Sequence, residues 1–106
     1  MTNRKLKAIA FGLACLACGP VFAAGDAEAG KEKAASCAGC HGAQGEGSGP
    51  NPPIAGLDAD THLQMLIEYK AGERGEALMQ MFAAQLSEQD MADIAAYYAC
   101  LEAAEG

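Results

Sequence analysis

Beyond an unbroken apolar run near the N-terminus, the hydrophobic positions of the chain recur with the period of a helix in four stretches. From Gly25-Asp26 to about Ala38 the pattern predicts a helix capped by Asp26, with Ala27, Gly30, Ala34 and Ala35 along one narrow face. Side chains that small let a second helix approach closely. A second helix starts at Asp60 as N-cap, places Leu63, Leu66 and Ile67 on one side with Lys70 at its margin, and closes at Gly72. A short third covers Glu76 to Gln85, with Leu78, Met81, Phe82 and Gln85 or Leu86 as its apolar side. The last begins at the cap Ser87, has Asp90 in its favourable first turn, and carries the stripe Met91, Ile94, Ala95, Tyr98 and Leu101. No strand-period alternation competes, so the fold class is all-α.

Between the first two helices, Gly42, Gly45, Gly47, Gly49, Pro50, Pro52 and Pro53 interrupt any regular element up to Gly56. Such a loop can wrap around a ligand held between its flanks. The N-terminal run from Ala8 to Gly19 is 12 residues, well short of the ~20 that a membrane-spanning helix needs. It follows Arg4, Lys5 and Lys7 and precedes Pro20 and the small-residue site Val21-Phe22-Ala23. That order predicts a secretory signal peptide, residues 1–23, cleaved after Ala23, with a single domain over 24–106 and no transmembrane anchor. Cys15 and Cys18 also admit a lipoprotein signal, although Gly12 and Cys15, three residues before them, suit it poorly.

Cleavage changes the charge. The whole chain carries −7, but all 14 acidic residues lie beyond Ala23, where only Lys31, Lys33, Lys70 and Arg74 are basic, leaving −10 on the remaining 83 residues. Nucleic acid and anionic membranes would repel such a surface; a protein partner would meet it with a basic patch, the alternative being an acidic surface that is solvated and steers nothing. The domain is also small for a self-sufficient core and has no Trp. An embedded apolar cofactor would supply the missing volume.

The candidate chemistry is Cys37-Ala38-Gly39-Cys40-His41, at the end of the first helix. Two thiols one helical turn apart can each add to a vinyl group of one porphyrin while the adjacent imidazole reaches the iron, so the C-x-x-C-H spacing points to one covalent c-type haem. Export also permits a disulfide between Cys37 and Cys40, but a thioredoxin-like dithiol needs a βαβ setting. Tetrahedral zinc needs four ligands, and His62 and Cys100 are scattered singly. Cys100 reads as a buried small apolar residue, with an intermolecular disulfide as the weaker alternative. His62, near a helix start amid polar residues, reads as exposed rather than as an iron ligand.

Five segments carry a resemblance. They are Gly25-Asp26-Ala27-Glu28-Ala29-Gly30, Cys37 to Gly42, Pro52-Pro53-Ile54-Ala55-Gly56, Tyr69-Lys70-Ala71-Gly72, and Leu86-Ser87 through Ile94-Ala95-Ala96-Tyr97-Tyr98. In this order they resemble the small bacterial class I cytochromes c. The resemblance implies a compact fold of about four short helices around one haem, the first and last helices crossing with Gly30 against Tyr97 or Tyr98. It implies His41 as proximal iron ligand and the Pro52 carbonyl as acceptor for its other ring nitrogen. In similar sequences the distal methionine lies seven residues before the leucine matching Leu86, which implies Met79, with Met81 as runner-up and otherwise core packing. Met65 is read as helix core.

The implied function is one-electron transfer in the periplasm by a His/Met-ligated haem, with redox proteins as partners and no enzymatic activity of its own. Axial methionine raises the reduction potential relative to a second histidine. The run from Pro52 to Met79 also resembles the first haem domain of flavocytochrome c sulfide dehydrogenase, which would make a flavoprotein the electron donor. A haem-based sensor or peroxidase is the alternative of another class, and it requires a displaceable sixth ligand.

Overall fold

The computed structural model describes residues 25–103. The expected signal segment 1–23, with Cys15 and Cys18, lies outside them. Five helices follow one another: α1 (Ala27–Lys33), α2 (Ala35–His41), α3 (Ala59–Ala71), α4 (Ala77–Ala84) and α5 (Glu88–Ala99). Among the described residues there is no strand, only an isolated bridge between Ser48 and Asn51. No described helix is long and apolar enough to cross a membrane.

Asp26 caps α1 as expected, its carboxylate accepting from the amides of Glu28 (3.0 Å) and Ala29 (3.4 Å). The single helix expected up to Ala38 is instead two, because Ala34 (φ −78°, ψ 0°) ends α1 and begins α2. The break keeps Gly30 and Ala34 buried beside α5 while giving α2, which bears the cysteines, an axis of its own.

The crossing of α1 and α5 depends on the absence of a side chain. A Cβ on Gly30 would stand 1.9 Å from the Asp93 carbonyl oxygen and 2.9 Å from the Tyr97 Cβ, and one on Gly25 would stand 2.3 Å from the Ala92 oxygen. Polar contacts fix the crossing. Asp93, buried on α5, accepts from Lys33 Nζ (2.7 Å), the Asp26 amide (2.8 Å) and Gln89 Nε2 (2.8 Å). Lys33 also pairs with Asp90 at 3.0 Å. A buried carboxylate needs donors of this kind.

Ser87 and Asp90 form a full capping box at the start of α5. Met91, Ile94 and Tyr98, the largest fully buried side chains, make the core with Ala34, Ile54 and Leu66. Burial of each large side chain is worth roughly 1.5–3 kcal/mol. Cys100 ends α5 half-buried, its sulfur 3.3 Å from the Ala96 carbonyl oxygen.

α3 begins two residues earlier than expected. Asp58, not Asp60, is the N-cap, accepting from the Thr61 amide at 3.0 Å. Gly72 closes the helix in the left-handed region (φ 79°). Ala59, His62 and Leu66 point inward at i, i+3 and i+7, alongside the expected Leu63 and Ile67. The apolar side of α4 also differs from expectation. Ala83 is fully buried and Met79 and Leu86 pack on the core, whereas Leu78, Met81 and Phe82 are exposed, Met81 by 55 %. Met81 is therefore not a core residue.

Replacing Gly30 by alanine should lower stability by about 2 kcal/mol, in the range of overpacking. The check is the urea unfolding midpoint, and an unchanged midpoint would mean that α1 can move off α5 without cost.

Candidate haem cleft

α2, the Gly/Pro loop, α3 and α4 together enclose one cleft, with about 1210 Å³ of empty space including its open mouth. α2 contributes Cys37, Cys40 and His41 to its wall, the loop contributes Asn51, Pro52 and Ile54, and α4 contributes Leu78, Met79 and Phe82. Met81 is not part of the wall. Met65, which was read as helix core, is half-buried and borders the cleft instead.

The His41 side is built on backbone. Gly42 (φ 98°) ends α2 in a conformation that side chains rarely adopt, and the loop then folds back beneath it. The Gly47 amide donates to the His41 carbonyl (2.6 Å), and Asn51 Nδ2 donates to that of Cys40 (3.0 Å). The loop is anchored in turn by the amides of Ile54 (2.8 Å) and Ala55 (2.9 Å) donating to the Gly45 carbonyl, and by that of Gly56 donating to the Tyr98 carbonyl (2.8 Å). These contacts place the Pro52 carbonyl oxygen 2.7 Å from His41 Nδ1. With Nδ1–H donating there, the tautomer is fixed and Nε2 is left as the nitrogen able to bind a metal.

Cys37 and Cys40 are both free thiols. Burial first, opposed by hydrogen bonding to Ser36, pushes the Cys37 thiol up, so it stays protonated. Two thiols one turn apart, an imidazole with one nitrogen already committed, the thioether of Met79 and predominantly apolar walls form a donor set that fits a covalently attached haem. No cluster of three or more His, Cys, Asp or Glu suited to an isolated metal ion occurs among the described residues.

One polar residue of the cleft was misjudged from sequence. His62, expected to be exposed, is 4 % exposed, borders the cleft, and lies against Tyr98 with ring centroids 5.8 Å apart. His62 shares the inner face with Leu66, four residues on. Its Nδ1 is buried with no hydrogen-bond partner. Burial, and secondarily the neighbouring His41, lower its pKa from 6.5 to about 4.

The fold agrees with the comparisons to known proteins. The cytochrome c family matches residues 27–99, and the chain belongs to that family. It is 46 % identical over 82 residues to cytochrome c4 of Pseudomonas aeruginosa, covering 76 % of this chain and 41 % of that protein. It is 43 % identical over 83 residues to cytochrome c-554(548) of Halomonas halodenitrificans, covering 74 % of this chain and 100 % of the relative. Reduced recombinant cytochrome c4 from Pseudomonas stutzeri superposes with a TM-score of 0.74 at 36 % identity, over 78 % of this chain and 49 % of that one. The chain thus spans about half the length of the cytochromes c4 and the whole of the c-554(548). Membership makes it an electron-transfer protein rather than an enzyme in itself, and implies covalently bound haem c.

The lowered pKa of His62 has a consequence for stability. Between pH 6.5 and about 4 the unfolded chain binds a proton at His62 that the folded chain refuses. The site's stabilising effect is therefore complete above pH 6.5, declines as pH falls, and stops declining below about pH 4, a total of about 3 kcal/mol at the linkage rate for one pKa unit. Urea midpoints measured across this window should slope for the wild type and flatten for His62→Leu. Parallel curves would show that His62 is not the group responsible.

Proposed function

We propose that the protein is a periplasmic one-electron carrier holding a single haem c between His41 and Met79. The observation that carries this reading is that both residues border one cleft, His41 having its second nitrogen engaged by Pro52. Cys37 and Cys40 would form the two thioethers. A haem held there supplies a one-electron ferrous/ferric couple whose potential an axial methionine raises.

The residues' own contributions follow from their surroundings. The Pro52 carbonyl keeps His41 in one tautomer and one orientation, which limits rearrangement when charge changes nearby. Ile54, Leu66 and Leu86 keep water off the inner wall. Met79, packed against the core on the face of α4 that carries Ala83, would fill the remaining axial position. A filled position favours electron transfer over the sensor or peroxidase alternative, which needs an open one.

Export is part of the same reading. The signal segment 1–23 would be cleaved after Ala23, leaving a domain over 24–106. The acidic surface, −10 over that domain, would favour a redox partner with a basic docking patch. N-terminal sequencing of the exported protein should begin at Ala24, and a chain still bearing Met1 would overturn the export reading.

Spectra test the ligation. An alkaline pyridine spectrum should report one c-type haem per chain. The ferric protein should show the weak near-infrared methionine-to-iron band, lost in Met79→Ala and kept in Met81→Ala. Loss in Met81→Ala alone would transfer the assignment to Met81. A five-coordinate wild type would instead favour the sensor or peroxidase.

A further inference from the structure

We propose that Lys70 is a positioning residue for the sulfur of Met79, acting through the backbone at the C-terminal end of α4; the inference rests on Met79 being an axial ligand. α4 has eight residues, and a helix that short does not persist on its own hydrogen bonds. It starts from Glu76, a non-glycine residue at φ 80°, with no side-chain cap. Leu78 and Phe82 border the cleft and Met81 faces outward, which leaves Met79 and Ala83 as the α4 side chains seated on protein. Its hold on the rest of the molecule is therefore thin on the apolar side.

Polar tethers from α3 and the turn after it make up the difference. Lys70 Nζ donates to the carbonyl oxygens of Ala84 (3.3 Å) and Leu86. These oxygens lie at the negative end of the α4 dipole, where an ammonium is favourable. In the middle of α4, Gln80 Nε2 donates to the Arg74 carbonyl (2.7 Å). Arg74 is itself held by Glu68 at 3.0 Å and lies 5.6 Å from the Tyr69 ring centroid. Met79 directly precedes Gln80 on this tethered helix, so the position of its sulfur follows the position of the helix. Removing the ammonium leaves the C-terminal tether to water and lets that end of α4 swing away from α3.

The test is a titration of the ferric holoprotein with imidazole, which competes with the methionine sulfur, followed by loss of the near-infrared band. Lys70→Met should raise the imidazole affinity about ten-fold, the lower range for a hydrogen bond to a charged group. Lys70→Arg should restore most of the wild-type resistance. Lys31→Met, which removes the same charge far from α4, should leave the affinity unchanged. An affinity within about two-fold of wild type in Lys70→Met, or an equal rise in Lys31→Met, would overturn the inference. Should Lys70→Met yield no holoprotein, Lys70→Gln carries the same comparison. Absence of the band in the wild type would instead defeat the ligand assignment, whereas a band present and indifferent to Lys70 defeats only the positioning role.

Discussion

The close approach of α1 to α5 at Gly25 and Gly30 is the constraint from which the site follows. α2 is separated from α1 by the single residue Ala34, so the direction of the cysteine-bearing helix is set once α1 is seated. The loop after α2 refers to the same helix: the Tyr98 carbonyl accepts from Gly56, and a Cβ on Gly45 would lie 2.7 Å from the Tyr98 ring. α5 is thus the frame against which both the motif and the His41 acceptor are placed. The buried Asp93 adds little net stability by itself, since desolvation offsets much of what its donors contribute. Its value is geometric, because a carboxylate bound by Lys33, Asp26 and Gln89 together admits only one register of α1 on α5.

What could be read from sequence was what local chemistry decides. The C-x-x-C-H spacing, the caps Asp26 and Ser87, the glycine closing α3 and the α5 stripe all depend on residues within one or two turns. His62 could not be placed that way. It stands four residues before Leu66, at the margin of the apolar stripe, and its polar neighbours Asp60, Thr61 and Gln64 do not reveal that tertiary packing covers that margin. α4 failed for a different reason. Its sequence, Ala77 to Ala84, is apolar nearly all round and contains no charge, and hydrophobic pattern cannot separate a face that packs on protein from one that borders a ligand cleft. Ala34 shows the limit of propensity: alanine favours helix, yet packing against α5 interrupts the helix there.

The two sides of the cleft are secured by different forces. On the His41 side the restraints are main-chain hydrogen bonds and glycine backbone conformations, with one side-chain amide, Asn51, bonded to the Cys40 carbonyl. On the Met79 side they are side-chain contacts, Lys70 reaching from α3 and the Gln80 amide bonded to the Arg74 carbonyl. Backbone hydrogen bonds in a folded loop respond weakly to salt, whereas exposed charged contacts are screened by it. The methionine side is accordingly the softer one, and local opening of the molecule should begin at α4.

This division also bears on the acidic surface. Of the four basic residues beyond Ala23, Lys33 holds α1 to α5, and Lys70 and Arg74 help hold α4 to α3. These three cations lie at helix junctions, and among the described residues the carboxylates that outnumber them, Asp93 apart, lie on the outside. A chain built this way places its positive charge where it secures geometry and leaves a negative field facing outward. Loss of any of these three cations would therefore loosen a helix contact and deepen the negative field at once.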